Sequence, residues 1–526
     1  SMSCSSKESR QQASWERGDK LLKKGNKKAA ITVYRNALSK DKNNEEGVVK
    51  LARLYRDTGS IKECSRVLTE FLIKNKGKAD TWYKLARCRY FERKSEQAIE
   101  ACGEALKIDG DQIDSIILLG TIYEEHKEKT AAKDLYLSVA DKMHLGKELV
   151  PVQLKLAALE IETGKEKGLE SAEVHLLSAR KLAPKSTKVL SALGLYHLKQ
   201  KQPGKARRVF KKWIEFYPDD GLAYLHLGQA NLMLGENEEA FNSFKKAAQL
   251  RSSDILPLMG IVRVAPKIKK NKEIYPALLK ASALKPGDKN IKWQLVPWQI
   301  KKERYKVALR NLNQLKEDYQ HKPEYYKLKS RVHEGLGEYV QAWENYMRVL
   351  GFGGKSTAGF KKRAGILARY AGYHKKAVEY LEPLFEKSQD AKIGLNLALA
   401  QIASKEKKTK QRGVDLLKKL ATQDNSLAAI WLANYYLRQN NPERAKSILD
   451  RIKKQIKVED RIFYLDVLAQ YYDKTNNHAK HLDALKKQVK LARNDHEKSV
   501  LEKNVSRVKE VIQSEKKEKK KGNDEK

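Results

Sequence analysis

Large apolar residues, small residues and turn formers alternate along this chain in a block of about 34 residues that repeats from near its first residues to near its last. In one copy Trp82-x2-Leu85-Ala86 is followed by Ala98, Ala105 and a turn at Asp109-Gly110-Asp111. Another reads Leu190-x2-Leu193-Gly194, then Ala206, Phe210 and Tyr217-Pro218-Asp219-Asp220. A third runs Tyr224-x2-Leu227-Gly228, then Gly235, Ala240, Phe244 and Ala247. Small residues stand where two helices must touch, large ones where they interdigitate, and turn formers where the chain reverses. Each block therefore predicts a helix-turn-helix unit that packs on its neighbours, and a chain of such units exists to present a surface.

Aligned on the small residues, the chain holds about fourteen such blocks. Residues 11–254 carry seven regular ones, and 355–493 carry four more. Between them, 255–354 is degenerate. Pro257, Pro266 and Pro276 interrupt the eighth block, and Pro297 falls where the ninth wants a helix interior, which predicts a kink or a helix end there. A bend is expected within 255–300, and another at Gly351-Phe352-Gly353-Gly354. Residues 494–514 read as a polar capping helix. The segments 1–10 and 515–526 lack apolar runs, so the first is expected to be an unstructured tether and the second a disordered, Lys-rich tail.

The period, the Trp-x2-Leu-Gly-like first helix and the Ala-x3-Phe-like second helix resemble the tetratricopeptide repeat family over roughly residues 11 to 493. The resemblance implies an all-α, right-handed superhelical solenoid whose first helices line a concave face that receives peptides or protein segments. It brings no catalytic activity, and many unrelated partners share the fold. In the family register, positions 2, 5, 9 and 12 of each first helix face inward. That places Arg53, Arg56, Tyr83, Arg87 and Tyr90 in the groove of the second and third blocks, a set suited to an acidic, partly aromatic segment or to stacked bases. In the sixth and seventh blocks the row is Leu195, Leu198, Leu222, Leu225 and Leu232, with Met233 beside it and Trp293 extending it. This row has two readings: an apolar groove for an amphipathic helix, or leucines packed on neighbouring blocks. The Lys and Asn set with which some members grip a chaperone's terminal carboxylate does not assemble in any three consecutive helices.

Charge widens the choice of partner. Lys and Arg number 107 against 66 Asp and Glu, a net charge of +41 spread along the chain. It serves solubility, or it draws the chain to phospholipid, cell-wall polymer or nucleic acid. No apolar run of about eighteen residues is present to span a membrane. The eleven histidines include no HExxH, and His478 and His481 read as a surface pair. Gly351–Gly354 lacks the ending of a phosphate loop, and no serine or cysteine stands in a nucleophile motif. No cofactor, metal site or enzymatic activity is expected. Cys64, Cys88 and Cys102 suit buried packing positions, with no spacing that indicates a bridge.

Cys4 differs. In Ser3-Cys4-Ser5-Ser6-Lys7-Glu8-Ser9 a cysteine opens a polar segment, which resembles the mature start of a bacterial lipoprotein. That resemblance implies lipid on Cys4 and placement on the periplasmic side of the outer membrane. Two functions follow. One is a non-enzymatic, periplasm-facing scaffold that assists assembly of an envelope machine for polysaccharide export, pili or secretion. The other is a cytoplasmic or nuclear scaffold whose basic surface engages RNA or a ribonucleoprotein. The first is favoured, because the lysines lack the clustering with aromatics expected of an RNA-binding face.

Overall fold

A computed structural model of the chain describes the backbone of residues 2–164, 166–353, 355–423, 425–492 and 495–524, and the side chains of these apart from 2–11, 143–145, 495–496 and 517–524. Every regular element among the described residues is helical, and consecutive helices pack in pairs. The chain divides into two compact units, Ser1–Lys285 and Pro286–Lys526. The first is a solenoid of eight hairpins, from Met2–Lys23 with Lys27–Lys40 to Ile255–Val264 with Ile274–Leu284. The second holds six, from Lys289–Lys301 with Tyr305–Gln314 to Arg461–Lys474 with His478–Leu491. The helix Asp495–Asp524 then lays Val505, Val508 and Ile512 over Leu482, Ala484 and Leu485, covering the apolar face that the last hairpin would otherwise expose.

A hairpin closes because its first helix is small where its second is large. Gly18, Gly120, Gly194 and Gly228 lie against the rings of Tyr34, Tyr136, Phe210 and Phe244, each sixteen residues further on. A methyl group added at Gly228 would stand 2.7 Å from the Phe244 ring, well inside van der Waals contact. Where the small residue is alanine, as at Ala52, Ala86, Ala433 and Ala469, the residue sixteen later shrinks to Leu68, Cys102, Leu449 and Leu485. In most of these hairpins the larger partner stands opposite glycine and a smaller one opposite alanine, while Gly365 stands opposite Leu381.

The turns recur with the same period. One residue in the left-handed region reverses the chain at 25, 59, 93 and 127, and again at 201, 235, 269, 303 and 337, at intervals of 34. Its geometry lets the last carbonyls of the first helix be satisfied: Gly25 N–H donates to Leu22 O at 2.8 Å and Asn26 N–H to Leu21 O at 3.0 Å. Between hairpins, short polar side chains cap the next helix. Asp220 accepts from Leu222 N–H at 3.0 Å with one oxygen and from buried Trp213 Nε1 at 3.0 Å with the other, so one carboxylate ties two hairpins together.

Several expectations are corrected. The helix Lys289–Lys301 runs through Pro297 without ending. Pro257 and Pro276 fall in the first turn of a helix, where the missing N–H needed no partner, and Pro266 lies just past a helix end, so the eighth hairpin survives with a shortened first helix. The two units meet in sequence between Lys285 and Pro286. Cys64, Cys88 and Cys102 are all buried in the core, as their packing positions implied, and Cys64 also lies against Cys88 of the neighbouring hairpin, with Cα atoms 6.1 Å apart. Helix backbone begins at Met2 and continues to Asp524, so the two terminal segments continue the solenoid's end helices. Cys4 lies outside the residues whose side chains are described.

The small-to-large pairing makes a prediction. Gly194→Ala drives a methyl into the Phe210 ring and should destabilise by about 1–3 kcal/mol. Adding Phe210→Leu should restore most of that loss, read as the urea midpoint; independent, additive losses would refute the pairing.

Candidate interaction surface

Residues at the predicted inward positions split into three fates. At the N-terminal end the cations are already engaged. Arg56 Nη2 lies 2.8 Å from Asp57 Oδ1, and Arg53 Nε lies 3.8 Å from Asp57 Oδ2. The Tyr90 hydroxyl donates to Glu125. Tyr83 is half-buried and its hydroxyl pKa is raised, chiefly by burial, while Arg87 stacks 5.9 Å from the Phe91 ring centroid. The chain's own carboxylates thus occupy much of the surface expected to meet an acidic segment.

The apolar row also divides. Leu225 is 2 % exposed, so it belongs to the interior and is not available to a partner. Leu198 and Leu222 pack on the core that contains Phe210 and Trp213, which matches the packed alternative for those two. Leu232 is half-buried. Leu195, 41 % exposed, and Met233, 49 % exposed, are free. Trp293 stacks on Tyr319 with centroids 4.3 Å apart in the second unit.

A different site comes together in the second unit. The first helices Ala358–Tyr370, Ala391–Ile402 and Ser426–Arg438 surround a cavity of about 340 Å³. Arg369, Lys410 and Arg438 stand around it, Trp431 and Tyr435 form an aromatic wall, and no Asp or Glu lines it. Arg369 is held in place: its Nε donates to Asn396 Oδ1 at 2.8 Å and its guanidinium lies 3.7 Å from the Tyr370 ring centroid. Lys410 and Arg438 make no ion pair among the described residues. Two of the lining residues carry a polar atom that is buried without a hydrogen-bond partner, Asn434 Oδ1 and His374 Nδ1. The imidazole pKa of His374 is lowered, first by burial and then by Arg369, which keeps the ring neutral at pH 7.

Among cavities of similar size, one of about 330 Å³ in the first unit sets Arg35, Lys42, Arg66 and Lys74 beside Glu63 and Glu70, so its cations are compensated only in part, Arg66 by Glu70. His478 and His481 each face a separate carboxylate, Glu515 at 3.1 Å and Asp473 at 3.4 Å. No cluster of three or more His, Cys, Asp or Glu among the described residues could hold a metal. The Arg369 site was readable in principle. The register that selected Arg53 and Leu198 places Arg369 at position 12 and Asn434 at position 9. Lys410 and His374 come from second helices, which that register does not reach.

Comparison with known families finds the tetratricopeptide repeat model matching residues 79–112 and 174–255. No curated protein sequence matches the chain. Solved structures resemble it more distantly. A Pseudomonas aeruginosa pilF protein is 21% identical, covering 42% of this chain and 97% of its own, with a TM-score of 0.34. YrrB, a tetratricopeptide-repeat protein described as having an unusual peptide-binding site, is 19% identical over 36% of this chain and 96% of its own, at 0.30. The Cut9–Hcn1 assembly of the APC/C is 15% identical over 82% of this chain and 94% of its own, at 0.28.

The split within the leucine row is testable. Leu225→Ala should cost about 2–5 kcal/mol by leaving a cavity, whereas Leu195→Ala should stay within about 1 kcal/mol. Equal losses in thermal unfolding would mean that both leucines share one environment.

Proposed function

We propose that the chain, whose residues 79–112 and 174–255 match the tetratricopeptide-repeat model, is a non-enzymatic scaffold whose first-helix faces carry protein partners. The observation that carries this reading is the exposure of polar, aromatic and cationic side chains on those faces. Some of these groups, such as Trp431 and Tyr435, also pack on the core beneath them, while the charged ends of Arg369, Lys410 and Arg438 stand beside the cavity.

Within that role we assign the chain to the periplasmic side of a bacterial outer membrane, tethered by lipid on Cys4, where it assists assembly of a machine for polysaccharide export, pili or secretion. The sequence Ser3-Cys4-Ser5-Ser6 supports the anchor. The charge does not argue for a dedicated nucleic-acid face. Ser1–Lys285 holds 54 Lys and Arg against 36 Asp and Glu, net +18, and Pro286–Lys526 holds 53 against 30, net +23, so neither unit is singled out.

The anchor is tested by the mass of the N-terminal peptide from protein made in its own cell with its natural upstream segment. A diacyl- or triacylglyceryl adduct on Cys4 is expected, and Cys4→Ser should move the protein from the membrane to the soluble fraction. An unmodified thiol with intact upstream sequence would overturn the envelope assignment. Steep loss of RNA binding with rising salt would then direct attention to the cytoplasmic or nuclear alternative.

A further inference from the structure

We infer that the connection Lys453–Asp460, with the hollow beside it, docks on an anionic phospholipid membrane. This goes beyond the scaffold reading and needs no lipid on Cys4.

Net charge is spread over the whole chain, so an excess of cations alone singles out no place. The connection differs in what it leaves in water. Regular links between hairpins, such as Asp41–Asn44, Tyr217–Asp220 and Lys285–Asp288, take four residues, whereas Lys453–Asp460 takes eight. Near its end Val458 is 79 % exposed, more than any other large apolar side chain among the described residues. Phe352, in another long connection, instead packs against Tyr326 with ring centroids 5.6 Å apart.

Val458 stands among cations. Lys457 precedes it, and the adjoining hollow of about 460 Å³ is lined by Lys453, Lys454, Arg461, Lys487 and Lys490, with Ile456 and half-buried Leu491 between them. No Asp or Glu lines the hollow, and neither acid of the connection, Glu459 or Asp460, reaches its wall. Lys487 pairs with Asp483 at 2.6 Å, and the other four cations make no ion pair among the described residues. A neighbouring hollow shares Lys487 and Lys490 and adds Lys486 and Lys509, so the basic face continues onto the helix Asp495–Asp524. Close, unpaired cations focus a positive potential at this end of the second unit.

The apolar side chains decide which anion answers it. Single-stranded nucleic acid binds where exposed rings stack on its bases, and the ring at this hollow, Tyr464, is only 6 % exposed, with its hydroxyl donating to Leu449 O. A membrane surface takes both components. Headgroup phosphates meet the lysines, while Val458 and Leu491 enter the boundary between headgroups and acyl chains.

The test is co-sedimentation of the full chain, its Cys4 unmodified, with vesicles of phosphatidylcholine alone or mixed equally with phosphatidylglycerol. Affinity for the anionic vesicles should be at least about tenfold higher and should fall as salt rises. Lys453→Glu with Lys490→Glu should lower it at least about tenfold with unchanged helicity. Lys211→Glu with Lys246→Glu makes the same change of charge at exposed positions of the first unit and should lower it less than about threefold. Val458→Ser should weaken vesicle binding several-fold and leave the melting temperature unchanged, because that side chain is already in water. Equal losses from the two lysine pairs would overturn the inference, since the field of the whole chain would then be acting. So would an ineffective Val458→Ser. Binding to polyuridylate or polyglutamate that exceeds binding to vesicles, and disappears in the Lys453 and Lys490 variant, would overturn it as well.

Discussion

The solenoid depends on one steric constraint, the contact between a small residue on each first helix and a large one sixteen positions later on its partner. No single core spans the chain, so each hairpin must reach native packing density with its neighbours alone. Gly18 pairs with Tyr34 and Gly194 with Phe210, whereas Ala52 pairs with Leu68 and Ala433 with Leu449, so each of these hairpins sets a small residue against a larger one. Because the period is fixed by that contact, the turn residue and the capping residue recur in step with it. The same contact fixes which side of each first helix is consumed by packing and which is left to meet a partner.

What remains on that free side differs between the units. In the first, Asp57 and Glu125 engage Arg53, Arg56 and Tyr90, so much of the cationic and aromatic surface is neutralised from within. In the second, Arg369, Lys410 and Arg438 meet at a cavity that no carboxylate lines. Uncompensated charge is costly for a free protein and useful for a binding one.

Much of this was legible in the sequence. The small and large positions, the period and the number of hairpins follow from residues such as Gly194, Phe210 and Asp220, whose roles are steric or local. Facing was harder to read. The helix Gly221–Leu234 is apolar nearly all round, so its periodicity does not separate buried Leu225 from exposed Met233. Left-handed turns at Arg93, Lys127 and Lys201 were hidden because the side chain there is not the glycine that the conformation favours. The Cys64–Cys88 contact joins different hairpins, and no spacing within one hairpin announces it. The Arg369 cavity draws on three first helices and two second helices, a combination that emerges only when the hairpins are stacked.

Hydrogen exchange of the full chain with and without phosphatidylglycerol vesicles tests most directly whether hairpin packing delivers a binding surface at a defined place on the solenoid. The account predicts slowed exchange confined to segments around 453–461 and 486–491, with the turns of the first unit unchanged. Protection spread along the second helices of both units, or none anywhere, would contradict it.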